Sequence, residues 1–244
     1  MAEKNSPSPQ GALDFPRPFT TVDVVIFTVA DDALQVLLVQ RPTAGSEPFP
    51  GLWALPGGFV DVRQDAHLLA CARRKLLDKT GVDSPYLEQL GSWGGAARDP
   101  RGWSATHVYF ALIPGHDLIL AKGANAADVS WFAVDELLRE PALAFDHGEI
   151  LRAAVERLRG KVEYTSLPAF LLPEPFTLPQ LQQAYEVVLG RPVDKSGFRT
   201  RMMAAGFLVE AGQVEGTSRR PAMGYRLADR SAPVVFPRTF SPRG

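Results

Sequence analysis

The chain is poor in the residues that make disulfides, thiolate metal sites and membrane spans. Its one cysteine, Cys71, excludes an intrachain disulfide and leaves no cysteine-based zinc site. The histidines His67, His107, His116 and His147 lie scattered, without metal-ligand spacing. No apolar run is long enough to span a membrane, and the opening residues lack the apolar core of a signal peptide. A cytoplasmic location is therefore expected. An excess of one charge is also missing, since the net charge is −1. That balance conceals an asymmetry. From Lys161 onward there are 11 basic and 7 acidic residues, against 15 and 20 before it. A basic C-terminal part points to a nucleic-acid contact there.

What is present reads as two folded units. Residues 1–18 are rich in proline and serine and aperiodic, which suggests a disordered tail. Strands are expected at Thr20–Val29 and Leu34–Arg41, separated by a turn at Asp31-Asp32. Leu55-Pro-Gly-Gly-Phe-Val60 follows as strand and Gly-Gly loop, where glycine lets backbone approach a ligand closely. A helix over about 65–80 comes next, with Asp65 as N-cap and Gly81 just past its end. Its apolar stripe is Leu68, Leu69, Cys71, Ala72, Leu76 and Leu77. After Tyr86–Trp93 and a loop at 94–102, strands are expected at His107–Ile113 and Val129–Phe132, the latter leading into Asp135–Arg139. Asp146-His-Gly-Glu149 fits a capping box opening a helix to about Arg159. The spacing therefore predicts an α/β (α+β) domain over 19–160 and a linker over 161–175, where Gly160 and prolines 168, 173 and 175 break periodicity.

The second unit spans 176–230, with 231–244 as a C-terminal tail. Thr177 caps a helix running Leu178–Leu189 that stops at Gly190. A second helix from Asp194 to about Ala205 precedes two strands, Gly206–Val209 and Gly224–Leu227. Helix, short turn, helix and basic-tipped hairpin make a winged helix-turn-helix. On the second helix Phe198, Met202 and Ala205 face one way. Ser196, Arg199, Thr200 and Met203 face the other, flanked by Lys195 and Arg201. Those outward residues, with Arg219 and Arg220 at the hairpin tip, are the expected DNA contacts.

The strand, Gly-Gly loop and helix ending at Gly81 resemble the Nudix box, a scaffold for hydrolysing nucleoside diphosphates linked to another group. Arg74, Leu76, Gly81 and Val82 match the box. Ala66, Lys75 and Lys79 stand where the family has carboxylates, leaving Asp78. Divalent cations need carboxylate oxygens, and two ammonium groups repel them. The expectation is a catalytically inactive domain with no metal and no catalytic residues. Asp61 and Asp65 are the carboxylates that could hold a weak metal site instead. A dead site can still bind: Arg41, Gly57, Gly58, Phe59, Arg98, Asp99, Arg101 and Trp103 are the expected ligand residues, arginines for phosphates and the indole for a base. Alternatively, Arg98 and Arg101 are solvated loop charges and Trp103 belongs to the core.

A degenerate Nudix box joined to a winged helix resembles one family, the Nudix-related transcriptional repressors of NAD biosynthesis. The resemblance runs from about Thr20 to Leu227. It includes Gln40-Arg41, Leu52-Trp53, Leu55–Val60, Arg98–Ser104, Ala144–His147, Glu174–Leu178 and Arg220-Pro-Ala222. It implies an N-terminal Nudix α/β/α sandwich and a homodimer on double-stranded operator DNA. It also implies release of that DNA when ADP-ribose or a related NAD metabolite fills the pocket. The alternative is an active Nudix ADP-ribose pyrophosphatase with an accessory C-terminal domain.

Overall fold

The computed structural model describes residues 16–81, 86–115, 127–140, 142–214 and 221–240. Its organising strand is β1 (Phe19–Ala30), which is buried almost continuously because other layers cover both of its faces. Side chains alternate across a strand. Val22, Val24 and Ile26 therefore enter one core with Cys71, Ala72 and Leu76, while Val25 and Phe27 enter another with Ile150, Leu151 and Ala154. β1 pairs antiparallel with β2 (Ala33–Gln40) and parallel with β6 (Ser104–Leu112). Asp31 and Asp32 close the β1–β2 hairpin with φ of 48° and 57°, a conformation aspartate tolerates better than most residues. The sheet order is β3-β2-β1-β6-β5. β3 is Trp53–Ala54 and β5 is Tyr86–Gly95, while β4 (Gly57–Phe59) and β7 (Asp128–Ala133) pair with β1 and β2.

Helix α1 (Leu68–Thr80) covers one face. Helix α3 (His147–Val162), which follows the short α2 (Val134–Arg139), covers the other, giving the expected sandwich. Several local expectations are corrected. The N-cap of α1 is His67, which accepts from the Ala70 amide, because Asp65 is instead buried against Arg74. Leu77 is 50% exposed, so it is not part of the stripe. Asp146 stands at the N-cap of α3 but makes no capping bond, since its carboxylate binds Arg98.

The larger corrections concern the joints. Residues 161–175, expected as a linker, include a 3-10 turn (Leu167–Leu171) with every residue buried. Proline there breaks the helix without exposing the chain, and Phe170 packs against Tyr86. Residues 231–240, expected as tail, fold back along the same segment. Amide hydrogen bonds run Ser166 to Val234, Phe236 to Tyr164 and Phe240 to Glu163, and both Phe236 and Phe240 are buried.

The C-terminal unit follows its local signals closely. Thr177 and Gln180 form a reciprocal capping box at the start of α4 (Leu178–Leu189), which ends at Gly190 with φ 67°. Helix α5 (Lys195–Ala204) is capped by Asp194, and β9 (Leu208–Val214) pairs with β10 (Ala222–Leu227), which also takes β8 (Phe176–Thr177). One apolar cluster contains Phe27 and Leu151 of the sandwich together with Tyr185 and Phe198 of this unit. Among the described residues no helix is long and apolar enough to cross a membrane.

Candidate ligand pocket and DNA-facing helix

The Gly-Gly loop positions one side of a cavity of about 410 Å³ between β1, the loop before β3, α1 and the turn that opens α3. A side chain at Gly57 would put its Cβ 1.8 Å from Asp23 Oδ1, so only glycine lets the loop pass this buried carboxylate. At Gly58, with φ 141°, a Cβ would lie 3.0 Å from the Lys75 ammonium.

One wall is a charge network centred on Arg98. Arg98 donates from Nη2 to Asp23 Oδ2 at 3.1 Å and from Nε to Asp146 Oδ2 at 2.9 Å. Its side chain is only 6% exposed. Thr106 also donates to Asp23 Oδ2, at 2.7 Å. His147 Nδ1 accepts the Leu55 amide at 2.9 Å, so its proton is carried on Nε2, 3.7 Å from Asp23. Burial alone would raise the Asp23 pKa. His147, Thr106 and Arg98 outweigh it and hold the carboxyl below its ordinary value.

Arg101 is engaged as well. It binds Asp99 through Nε and Nη2, reaches Glu47 at 3.2 Å, and lies over the Phe59 ring. The hydrogen bonds from Arg101, working against burial, lower the pKa of Asp99. Arg41 binds Glu47 at 2.9 Å and the Pro48 carbonyl, and stacks over Phe145.

Of the sequence-predicted ligand residues, the structure brings Arg41, Gly57, Gly58, Phe59, Arg98, Asp99 and Arg101 to the pocket. Trp103 is not among the residues lining it. Trp103 is 51% exposed, so it is not core either. Phe59 and Phe145 supply the rings instead. Arg98 also braces the wall, with its Nε and Nη2 bound to Asp146 and Asp23. Sequence reasoning misses Asp23; Phe145 and His147 enter it only within the Ala144–His147 stretch that carries the family resemblance. An aspartate inside the otherwise apolar Thr20–Val29 run is the signal that could have found the first.

The residues that would hold a Nudix metal do not fit one. Asp65 is clamped by Arg74 at 2.8 and 2.6 Å, which depresses its pKa strongly. Asp61 accepts from the Arg63 amide and the Gln64 side chain. Asp78 is half-exposed and 3.7 Å from Arg74. Lys75 and Lys79 project into the cavity, and among the described residues no group of His, Cys, Asp and Glu could hold a metal ion.

On the C-terminal unit, Phe198 and Met202 turn α5 into the core and leave Lys195, Ser196, Arg199, Thr200 and Met203 exposed. Arg201 departs from its expected role. Its guanidinium stacks 4.1 Å from the Phe240 ring and donates to the Thr239 carbonyl at 2.8 Å, so the folded-back segment holds it against the protein. Arg219 and Arg220 lie outside the described residues.

Comparison with known proteins follows the same two-part division. Residues 19–154 match the NUDIX domain family, and residues 168–227 match the NrtR DNA-binding winged helix domain. The ADPR-responsive transcriptional repressor NtrR of Acinetobacter baylyi is 47% identical over 225 residues, covering 92% of this chain and 88% of that protein. Shewanella oneidensis NrtR, solved in complex with a 27mer DNA, superposes with a TM-score of 0.81 at 42% identity, over 91% of this chain and 99% of that one. The Nudix domain of the same Shewanella protein, solved with ADP-ribose, matches 59% of this chain and 90% of that one at 45% identity and a TM-score of 0.53. With both domains matched on one chain and the likeness running through nearly all of it, this protein belongs to the NrtR family.

Proposed function

We propose that this chain is an ADP-ribose-responsive repressor of NAD-metabolism genes. It binds operator DNA as a cytoplasmic homodimer and leaves it when ADP-ribose occupies the Nudix pocket. The observation that carries this reading is the course of α3. Its first residue, His147, lines the pocket, and the adjoining Asp146 ties to Arg98. At the other end Arg159 donates to the Val188 carbonyl of α4. Just beyond the helix, Glu163 binds Arg191 and the Phe240 amide, beside the ring that stacks on Arg201 of α5. A helix of this length spans about 24 Å. One rigid element therefore touches both the pocket and the supports of the recognition helix.

Ligand releases DNA only if it binds one arrangement of the protein better than the other, and linkage then makes operator DNA weaken ligand by the same factor. Measuring ADP-ribose affinity by calorimetry with and without operator duplex tests this, with weaker binding on DNA expected. Equal affinities overturn it.

The Nudix domain acts here as a receptor and not as a hydrolase, and the receptor needs no metal. Catalysis of this class needs carboxylates to hold a divalent ion, and Asp65 and Asp61 are already engaged by Arg74, Gln64 and backbone amides. Incubation with ADP-ribose and Mg²⁺ or Mn²⁺ should release no AMP at a catalytic rate. Turnover would favour the pyrophosphatase reading instead.

A further inference from the structure

We infer that Lys75 and Lys79 bind the diphosphate of the ligand directly, as built-in cations on the helix that in Nudix hydrolases carries metal-binding carboxylates. The inference rests on the reading that the pocket takes ADP-ribose, and it adds how that charge is neutralised.

Three observations carry it. First, the two lysines lie one helical turn apart on one face of α1, and both line the same cavity. Second, they are the cavity's unengaged cations. Arg41, Arg98 and Arg101 are held by carboxylates and Arg74 by Asp65, whereas among the described residues neither lysine makes a hydrogen bond or ion pair. Third, the Lys75 Nζ stands against Gly58, where a Cβ would come within 3.0 Å of it. The absence of a side chain at Gly58 thus lets the ammonium sit directly against the Gly-Gly backbone at the cavity wall. Burial lowers the Lys79 pKa and Lys75 adds to the effect against Asp78, so an incoming anion relieves a repulsion already present.

The chemistry matches in number. The diphosphate of a nucleoside diphosphate sugar carries one negative charge on each phosphoryl group, and two ammonium groups face it. An ammonium is a strong hydrogen-bond donor to phosphate that needs no particular in-plane geometry. The same two charges that exclude a divalent cation attract the diphosphate.

Isothermal titration of the full chain with ADP-ribose, in EDTA and then in Mg²⁺, tests the inference without any substitution. The expected affinities agree within about twofold. A collapse of binding in EDTA overturns the inference while leaving the receptor reading intact. K75Q, K79Q and the double variant provide the second arm, with melting temperature and ligand-free operator binding as folding controls. Each ammonium removed should weaken ADP-ribose by about tenfold or more, the scale of one charge-assisted hydrogen bond. A double variant that folds and binds within about twofold of the unsubstituted chain overturns the inference alone. Absence of ADP-ribose binding by the unsubstituted chain in both media overturns the receptor reading and the inference together.

Discussion

The two walls of the ligand pocket use charge in opposite ways. On the side of β1 and α3, Arg98 bridges Asp23 and Asp146, with His147 3.7 Å from Asp23. On the α1 side, Lys75 and Lys79 stand open to the cavity with no partner among the described residues. Helix α5 repeats the division on a smaller scale. Arg201 is held by Phe240 and Thr239, while Arg199, two residues earlier, is exposed. An arginine in a binding region is thus not automatically a ligand contact. What its guanidinium already touches decides whether it braces the site or is available to it.

The largest expected effect tests the first wall. R98M removes the cation between two largely buried carboxylates, and breaking such a buried pair costs about 3–5 kcal/mol of stability. Urea unfolding reads it directly. The K75Q/K79Q pair should change stability by less than about 0.5 kcal/mol, because neither side chain has a partner to lose. Equal losses in the two experiments would erase the distinction between bracing and binding charges.

Acid titration separates the walls in a second way. Asp23, Asp65 and Asp99 all have folded pKa values below their ordinary ones. A carboxyl depressed in the folded state contributes stability above its unfolded pKa of about 3.9, and that stability is lost as pH falls through the folded value. Thermal stability should therefore hold to about pH 4 and drop below it. D65N, which leaves Arg74 without its clamp, should flatten part of that drop and cost about 2 kcal/mol at neutral pH, since Arg74 is a quarter exposed. An unchanged acid profile in D65N would show that Arg74 does not depend on Asp65.

How far the sequence reveals these features depends on how local their causes are. The bounds of α4 were legible to the residue because Thr177, Gln180 and Gly190 act on their own helix ends. The sandwich strands were legible because β-branched runs and turn residues are local too. The wall was not: Arg98 finds Asp146 and Asp23 at separations of 48 and 75 residues, and no spacing rule connects them. Asp146 fits a capping box by sequence, yet a buried guanidinium takes its carboxylate. The segment around prolines 233 and 237 reads as a tail until Phe236 and Phe240 meet the core through tertiary contact. Lys75 and Lys79 were visible as departures from a pattern, but which cavity they face depends on the fold.

The smallest expected effect lies on α5. R201M should cost about 1 kcal/mol of stability, from the lost cation–π contact and hydrogen bond, while leaving the salt dependence of operator binding unchanged. R199A should do the reverse. Stability stays within about 0.5 kcal/mol, because the side chain is exposed and among the described residues makes no ion pair. Neutralising one phosphate contact lowers the slope of log affinity against log salt by about 0.9 per site. In a dimer with two equivalent helices the slope would fall by about twice that. Mobility-shift titrations at three or four salt concentrations measure both variants on one plot. A slope altered by R201M and untouched by R199A would move the DNA-facing surface of α5 from Arg199 to the side that Phe240 covers, and the C-terminal segment would then have to leave the helix before DNA could bind.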